Sequence, residues 1–113
     1  TFLGRVSDER LRELYRTAAA FVQLHEEDFG ITVVEALACG CPVMVHCTGG
    51  HSEIVTDGVG VQVDAENEDA IDDGFVRLLE HPWDAAQAVT RAGEFASSAF
   101  DAGITSALRQ LGF

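Results

Sequence analysis

Along the chain, short apolar runs alternate with stretches whose apolar residues recur at helical spacing. The runs AFVQL (Ala20 to Leu24), PVMVHC (Pro42 to Cys47) and VGVQV (Val59 to Val63) are too short for buried helices and read as strands. Thr1 to Leu3 reads as the end of another. Leu11, Leu14 and Tyr15 share one face of a helix that Ser7 can cap, predicted from Asp8 to about Ala19. A polar loop, His25 to Phe29, leads to Gly30. Gly30 opens a second helix, Ile31 to Cys39, and Gly40 suits its C-terminal cap. Thr48, Gly49 and Gly50 form a turn before a short helix over Ser52 to Val55, and Asp57-Gly58 turns the chain into the last strand. Asn67 can cap a helix running to about Glu80. Pro82 sits where a further helix begins, and Asp101 can cap a last one ending near Leu111.

This alternation predicts an α/β fold, a Rossmann-like parallel sheet with helices on both faces. Ligands of such sheets bind outside the carboxyl ends of the strands, which directs attention to the loops after Leu24 and Cys47. If the strand order is 3-2-1-4-5-6, Thr1 to Leu3 is strand 3 and strands 1 and 2 belong to sequence before Thr1. The strand of residues 20–24 is then an unpaired edge, open to pairing with another segment.

Composition narrows the function classes. The 113 residues suffice for one domain, and 47% apolar with 23% charged residues describes a globular chain. Nineteen acidic residues face seven arginines and no lysine, a net charge of -12. Such a surface argues against nucleic acid backbones and anionic membranes as partners. No apolar stretch is long enough to span a bilayer and no signal peptide is visible. Three cysteines, an odd number, do not describe a disulfide scaffold and suit reduced thiols in the cytoplasm. The absence of Met at position 1 leads to the expectation of a piece of something longer.

The densest chemical signal is EEDFGITVVEALACGCP, Glu26 to Pro42. It combines a strand end, an acidic loop, a glycine and a helix. The glycine lets backbone and ligand approach closely. The amides of Gly30, Ile31 and Thr32 lie at a helix N-terminus without intrahelical acceptors, a site suited to phosphate. Glu27 precedes the helix and Glu35 lies about one turn into it. Two carboxylates flanking a phosphate cradle suit a sugar nucleotide, one for a hexose and one for a ribose. The competing reading makes both glutamates surface acids favoured by the helix dipole.

Glu27, Phe29, Gly30, Glu35, Ala36, Ala38, Gly40, Pro42 and Val43 resemble the signature of retaining glycosyltransferases of family 4, which have the two-domain GT-B fold. The flanks, Phe2 to Val22 and Thr48 to Asp64, resemble the same family. The resemblance implies a partial C-terminal donor-binding domain over residues 1–113, with the acceptor domain and first strands absent. It implies transfer of a hexose from a UDP-, GDP- or ADP-hexose to a glycan, lipid or small-molecule hydroxyl acceptor, with retention and without a metal or other cofactor. Glu27, the catalytic-site candidate, would bind hexose hydroxyls. Amides from Phe29 to Ile31, with Thr32 nearby, would hold sugar and diphosphate. Glu35 would accept from the ribose and Val34 would pack near it. Gly4, Arg5 and Val6 would border the base, Asp8 would read its edge, and Gly49 and Gly50 would lie near the sugar pocket. Leu24 and Ser52 depart from prolines frequent in the family. The expected catalytic His and Arg/Lys clamp would precede Thr1, so the isolated chain should bind donor weakly and not turn over. Alternatives are a noncatalytic sugar-nucleotide-binding half-domain or partner subunit, and an epimerase or phosphorylase on the same fold.

Other residues receive plainer readings. Cys39, Cys41, Cys47, His46 and His51 match no common zinc spacing, and the cysteines read as small buried residues. His25 and His51 flank the pocket, His25 as an exposed loop residue. Trp83 reads as a packing residue rather than a stacking platform. Asp64 to Asp73 read as a solvated acidic face, and Tyr15, Phe75 and Phe95 as core.

Overall fold

The computed structural model describes residues 4, 6–25 and 30–97. The elements in chain order are α1 (Asp8–Thr17), β1 (Phe21–Gln23), α2 (Ile31–Ala38), β2 (Val43–His46), α3 (His51–Ile54), β3 (Gly60–Val63), α4 (Glu68–Glu80) and α5 (Ala85–Ser97). The strands pair in the order β1-β2-β3, both pairs parallel. Phe21 sits opposite Val43, and Val43 opposite Gly60. Each crossover between neighbouring strands carries a helix, as parallel pairing requires.

The period-two alternation of β2 divides the core. Val43 and Val45 point to a face shared with Val33, Val34 and Leu37 of α2, Ile54 of α3, and Ala88 and Ala92 of α5. Met44 points the other way, to Val61, Val63 and Leu78 under α4. Helices therefore cover both faces, and α5 packs as a further layer on α2. The predicted parallel α/β architecture is the observed one. Within the described sheet β1 is an edge strand, and its Val22 is exposed.

Local signals placed the helix ends well. Ser7 Oγ accepts from Arg10 N at 3.1 Å, and Asn67 Oδ1 from Ala70 N at 3.1 Å. Gly40 adopts φ 81° and its amide donates to the Leu37 carbonyl, closing α2. Several boundaries moved, α2 and α3 each ending one residue earlier than predicted, at Ala38 and Ile54. α1 stops at Thr17, where Ala18 turns extended. α3 starts at His51 rather than Ser52. α5 starts at Ala85 rather than Pro82, because Asp84 caps it: Asp84 Oδ1 accepts from Ala86 N at 2.9 Å. Trp83 stays outside the helix, its indole nitrogen donating to the Leu78 carbonyl at 2.7 Å.

Two burial expectations fail. Phe75 is 37% exposed, because α4 turns only the Gly74 and Leu78 side fully into the core. Cys47, past the end of β2, is exposed, whereas Cys41 is buried and Cys39 partly so. Tyr15 is buried and stacks edge-on against Phe21 at 5.6 Å, and Phe95 packs at the core margin. The acids from Asp64 to Asp73 are exposed, as expected. The strand predicted at Thr1 to Leu3 and the helix predicted after Asp101 lie outside the described residues.

Candidate functional site

The chain passes from β1 into α2 at the carboxyl end of the sheet. Gly30 stands at that junction as the N-cap of α2, with φ 66° and ψ 31°. L-residues with a Cβ rarely adopt this left-handed conformation. Space is a second constraint. A Cβ on Gly30 would lie 2.7 Å from Ile54 Cδ1 and 3.1 Å from both Cα and Cβ of His51. The close approach that demands a glycine here is therefore that of α3.

A glycine N-cap has no side chain to offer the first-turn amides, and the first turn of α2 contains no acidic residue. Among the described residues, the amides of Ile31, Thr32 and Val33 thus have neither an intrahelical acceptor nor a capping side chain from the N-cap position. α1 and α4 differ: each has a capping side chain and two acids in its first turn. α3 also starts at a glycine without a side-chain cap but has Glu53 in its first turn, so among the described residues the α2 start has neither a cap from its own N-cap residue nor a first-turn acid.

The flanking side chains are tied down. Thr32 Oγ1 donates to Gln23 Oε1 at 3.0 Å, and Gln23 Nε2 lies 3.2 Å from His25 Nε2. Gln23, which is buried, thereby joins the first turn of α2 to the loop after β1. Sequence reading passed over Gln23. The signal available was a polar residue inside an apolar run, which a buried strand tolerates only with a partner.

Glu35 is half-buried, one turn into α2. Burial pushes its carboxyl above the usual range, and the nearby Asp8 carboxylate pushes it further. Two predicted site residues from separate elements, α1 and α2, therefore share one electrostatic neighbourhood. Tyr15 borders it, its phenol pushed up to about 12 by burial and then by Glu35, Cys39 and Cys41. Burial also raises the Cys41 thiol to about 11 and holds Cys39 up, against the lowering effect of Arg16 and Arg12. Both environments thus disfavour the thiolate. Among the described residues no group of three or more His, Cys, Asp or Glu could hold a metal ion.

The remaining candidates scatter. Val34 is fully buried in the core. Gly4 is exposed at φ 66°, Val6 is half-buried, and Asp8 is exposed at the start of α1. Gly49 is exposed at φ 97°, and its carbonyl accepts from Ser52 Oγ at 2.7 Å, fixing the turn into α3. Gly50, at φ -59°, is the N-cap of α3. Arg5, Glu27 and Phe29 lie outside the described residues.

His51 departs most from expectation. It is fully buried, and among the described residues neither Nδ1 nor Nε2 has a hydrogen-bond partner. A buried polar group without a partner costs about 1–3 kcal/mol. The imidazole is thus an unbalanced polar group on a residue whose Cα and Cβ lie against Gly30. Two cavities, of about 440 and 540 Å³, lie toward the amino-terminal ends of the strands, and neither is lined by Gly30 or Glu35.

Comparison with known proteins agrees with this architecture. The chain is 40% identical over 105 residues to a D-inositol 3-phosphate glycosyltransferase of Frankia alni, covering 88% of this chain and 26% of that protein. It is 45% identical over 74 residues to sucrose synthase 1 of Hordeum vulgare, covering 60% of this chain and 9% of that protein. Its fold matches sucrose-phosphate synthase from Thermosynechococcus elongatus with a TM-score of 0.70 at 28% identity, covering 98% of this chain and 29% of that one. The chain thus spans less than a third of each of these proteins. Residues 1–95 match the profile of the family described as Glycosyl transferases group 1. The chain belongs to that family.

Proposed function

We propose that this chain is the donor-binding part of a retaining glycosyltransferase of GT-B architecture that transfers a hexose from a nucleoside-diphosphate sugar to a hydroxyl acceptor. The observation that carries the reading is the bare N-terminus of α2, at the carboxyl end of a parallel sheet, with Glu35 one turn below it. The free amides would hold the diphosphate, where an ionised ligand completes what the sequence leaves uncapped. Ionised Glu35 would accept hydrogen bonds from the ribose hydroxyls, with Asp8, Val6 and Gly4 toward the base. Val34 would support this wall from the core side. Glu27, with the amides from Phe29 to Ile31, would take the hexose, Gly49 and Gly50 closing the sugar side and Arg5 the base side. The acceptor domain, and with it most of the catalytic machinery, would belong to the rest of a longer enzyme.

Calorimetric titration with UDP, GDP and ADP, and with the corresponding hexose conjugates, tests this reading. One base should bind in preference to the others. Glu35→Ala should weaken that nucleotide by about 1.5–3 kcal/mol, as expected for hydrogen bonds to a charged group. Glu27→Ala should weaken the sugar conjugate more than the free nucleotide. Equal losses for both ligands in the Glu27 variant would contradict its role, and unchanged nucleotide affinity in the Glu35 variant would remove the ribose assignment.

A further inference from the structure

At the amino-terminal end of the sheet, away from α2, an open cavity of about 540 Å³ lies between the last turn of α4, the following connector and the start of β3. Asp57, Val61, Arg77, Glu80, His81 and Trp83 line it, with Pro82. The half-buried Trp83 is held by its indole hydrogen bond to Leu78 and packs at the edge of the α4 core. The exposed His81 ring lies against it, centroids 4.2 Å apart. Arg77, Glu80 and Asp57 are exposed, and among the described residues none of their side chains is engaged in an ion pair.

We propose that this cavity is a binding site for a neutral carbohydrate, separate from the donor site. Its volume lies in the range of small-molecule sites, and its lining sets aromatic surface beside a few polar groups. The ligand class follows from the sign of those groups. Two carboxylates and a net charge of -12 reject an anion. A guanidinium within the same wall opposes an organic cation. What accepts from a guanidinium and donates to carboxylates at once is a set of adjacent hydroxyls, each both donor and acceptor. The C–H face of a pyranose supplies apolar surface to pack on the aromatic pair. Because hydrogen bonding already fixes the indole, little side-chain freedom remains to be lost on binding. Trp83 then serves as a platform as well as a packing residue. The site does not depend on the donor reading.

The chain contains a single tryptophan, so fluorescence of Trp83 reads the site directly. The protein is titrated with maltohexaose, cellohexaose and mannohexaose, and separately with tetramethylammonium chloride as a cation probe. The expected result is a saturable change with at least one hexaose, little affected by added salt. Arg77→Ala and Glu80→Ala should each weaken it about tenfold, with the far-ultraviolet circular dichroism spectrum unchanged. Glu35→Ala should leave this response intact while weakening nucleotide binding, which separates the two sites. No saturable response to any hexaose, a response insensitive to both variants, or saturation by tetramethylammonium alone would overturn the proposal.

Discussion

Helices α2 and α4 both follow strands of one parallel sheet and begin at its carboxyl end, yet their first turns are built in opposite ways. α4 satisfies its own terminus: Asn67 caps it, and Glu68 and Asp69 supply negative charge. α2 supplies neither, and its N-cap is a left-handed glycine pressed against α3. Two equivalent positions in the topology thus differ in whether an anion would find the helix end vacant. The contrast teaches that strand ends of equal rank in the topology can differ in local capping chemistry, which leaves the α2 dipole without the capping side chain and first-turn acids that α4 carries.

The sharpest way to break the comparison is Gly30→Ala. The left-handed backbone costs a Cβ-bearing residue about 1–2 kcal/mol and overpacking about 1–3 kcal/mol more. Urea unfolding should therefore show a loss of about 2–5 kcal/mol; a loss of only about 1–2 kcal/mol would mean that α3 yields, and a neutral result would contradict the left-handed conformation of Gly30. Next comes Glu35. Glu35→Ala should weaken nucleotide binding as set out above, and pH adds a second readout. Its folded-state carboxyl is raised, so folding disfavours the charge. That penalty is absent at acid pH, where the group is protonated folded or unfolded, and fully present above the raised value. Glu35→Gln should therefore raise the melting temperature at neutral pH and not at pH 3. Nucleotide affinity of the parent protein should fall as pH drops through the raised value, since the protonated acid accepts poorly.

Of similar size but opposite sign is His51→Leu. Exchanging a fully buried, unpartnered imidazole for an apolar side chain should raise stability by about 1–3 kcal/mol. Destabilisation would show that the imidazole is satisfied in solution. A smaller effect comes from α4. Asn67→Ala should cost about 1 kcal/mol and leave nucleotide binding unchanged, because that terminus is only structural. Smallest is Leu79→Gln on the exposed side of α4, expected within about 0.5 kcal/mol of the parent, since Leu79 is 65% exposed.

Which parts were legible in the sequence follows the range of the interactions. Ser7, Asn67 and Gly40 act on partners within a few positions, so residue type and spacing sufficed to place them. The three described strands were readable from their apolar runs. The α5 start was misplaced at Pro82, because the competing cap, Asp84, stands two residues later. Phe75 was assigned to the core although α4 buries only a narrow stripe, a width that depends on what packs against the helix.

By itself, then, the sequence determined the β-α alternation, the caps at Ser7, Asn67 and Gly40, the acidic surface and the glycine that opens α2. Tertiary structure alone decided what surrounds that glycine. It brought Ile54 and His51 against Gly30, set Asp8 of α1 within the field of Glu35 on α2, and joined Thr32 to His25 through Gln23. It also gathered Asp57, Arg77 and Trp83 around one cavity. The physical reason is that caps and periodicity are energies of neighbouring residues. Burial, close approach and charge coupling are energies between segments that only the crossovers of a parallel sheet bring together.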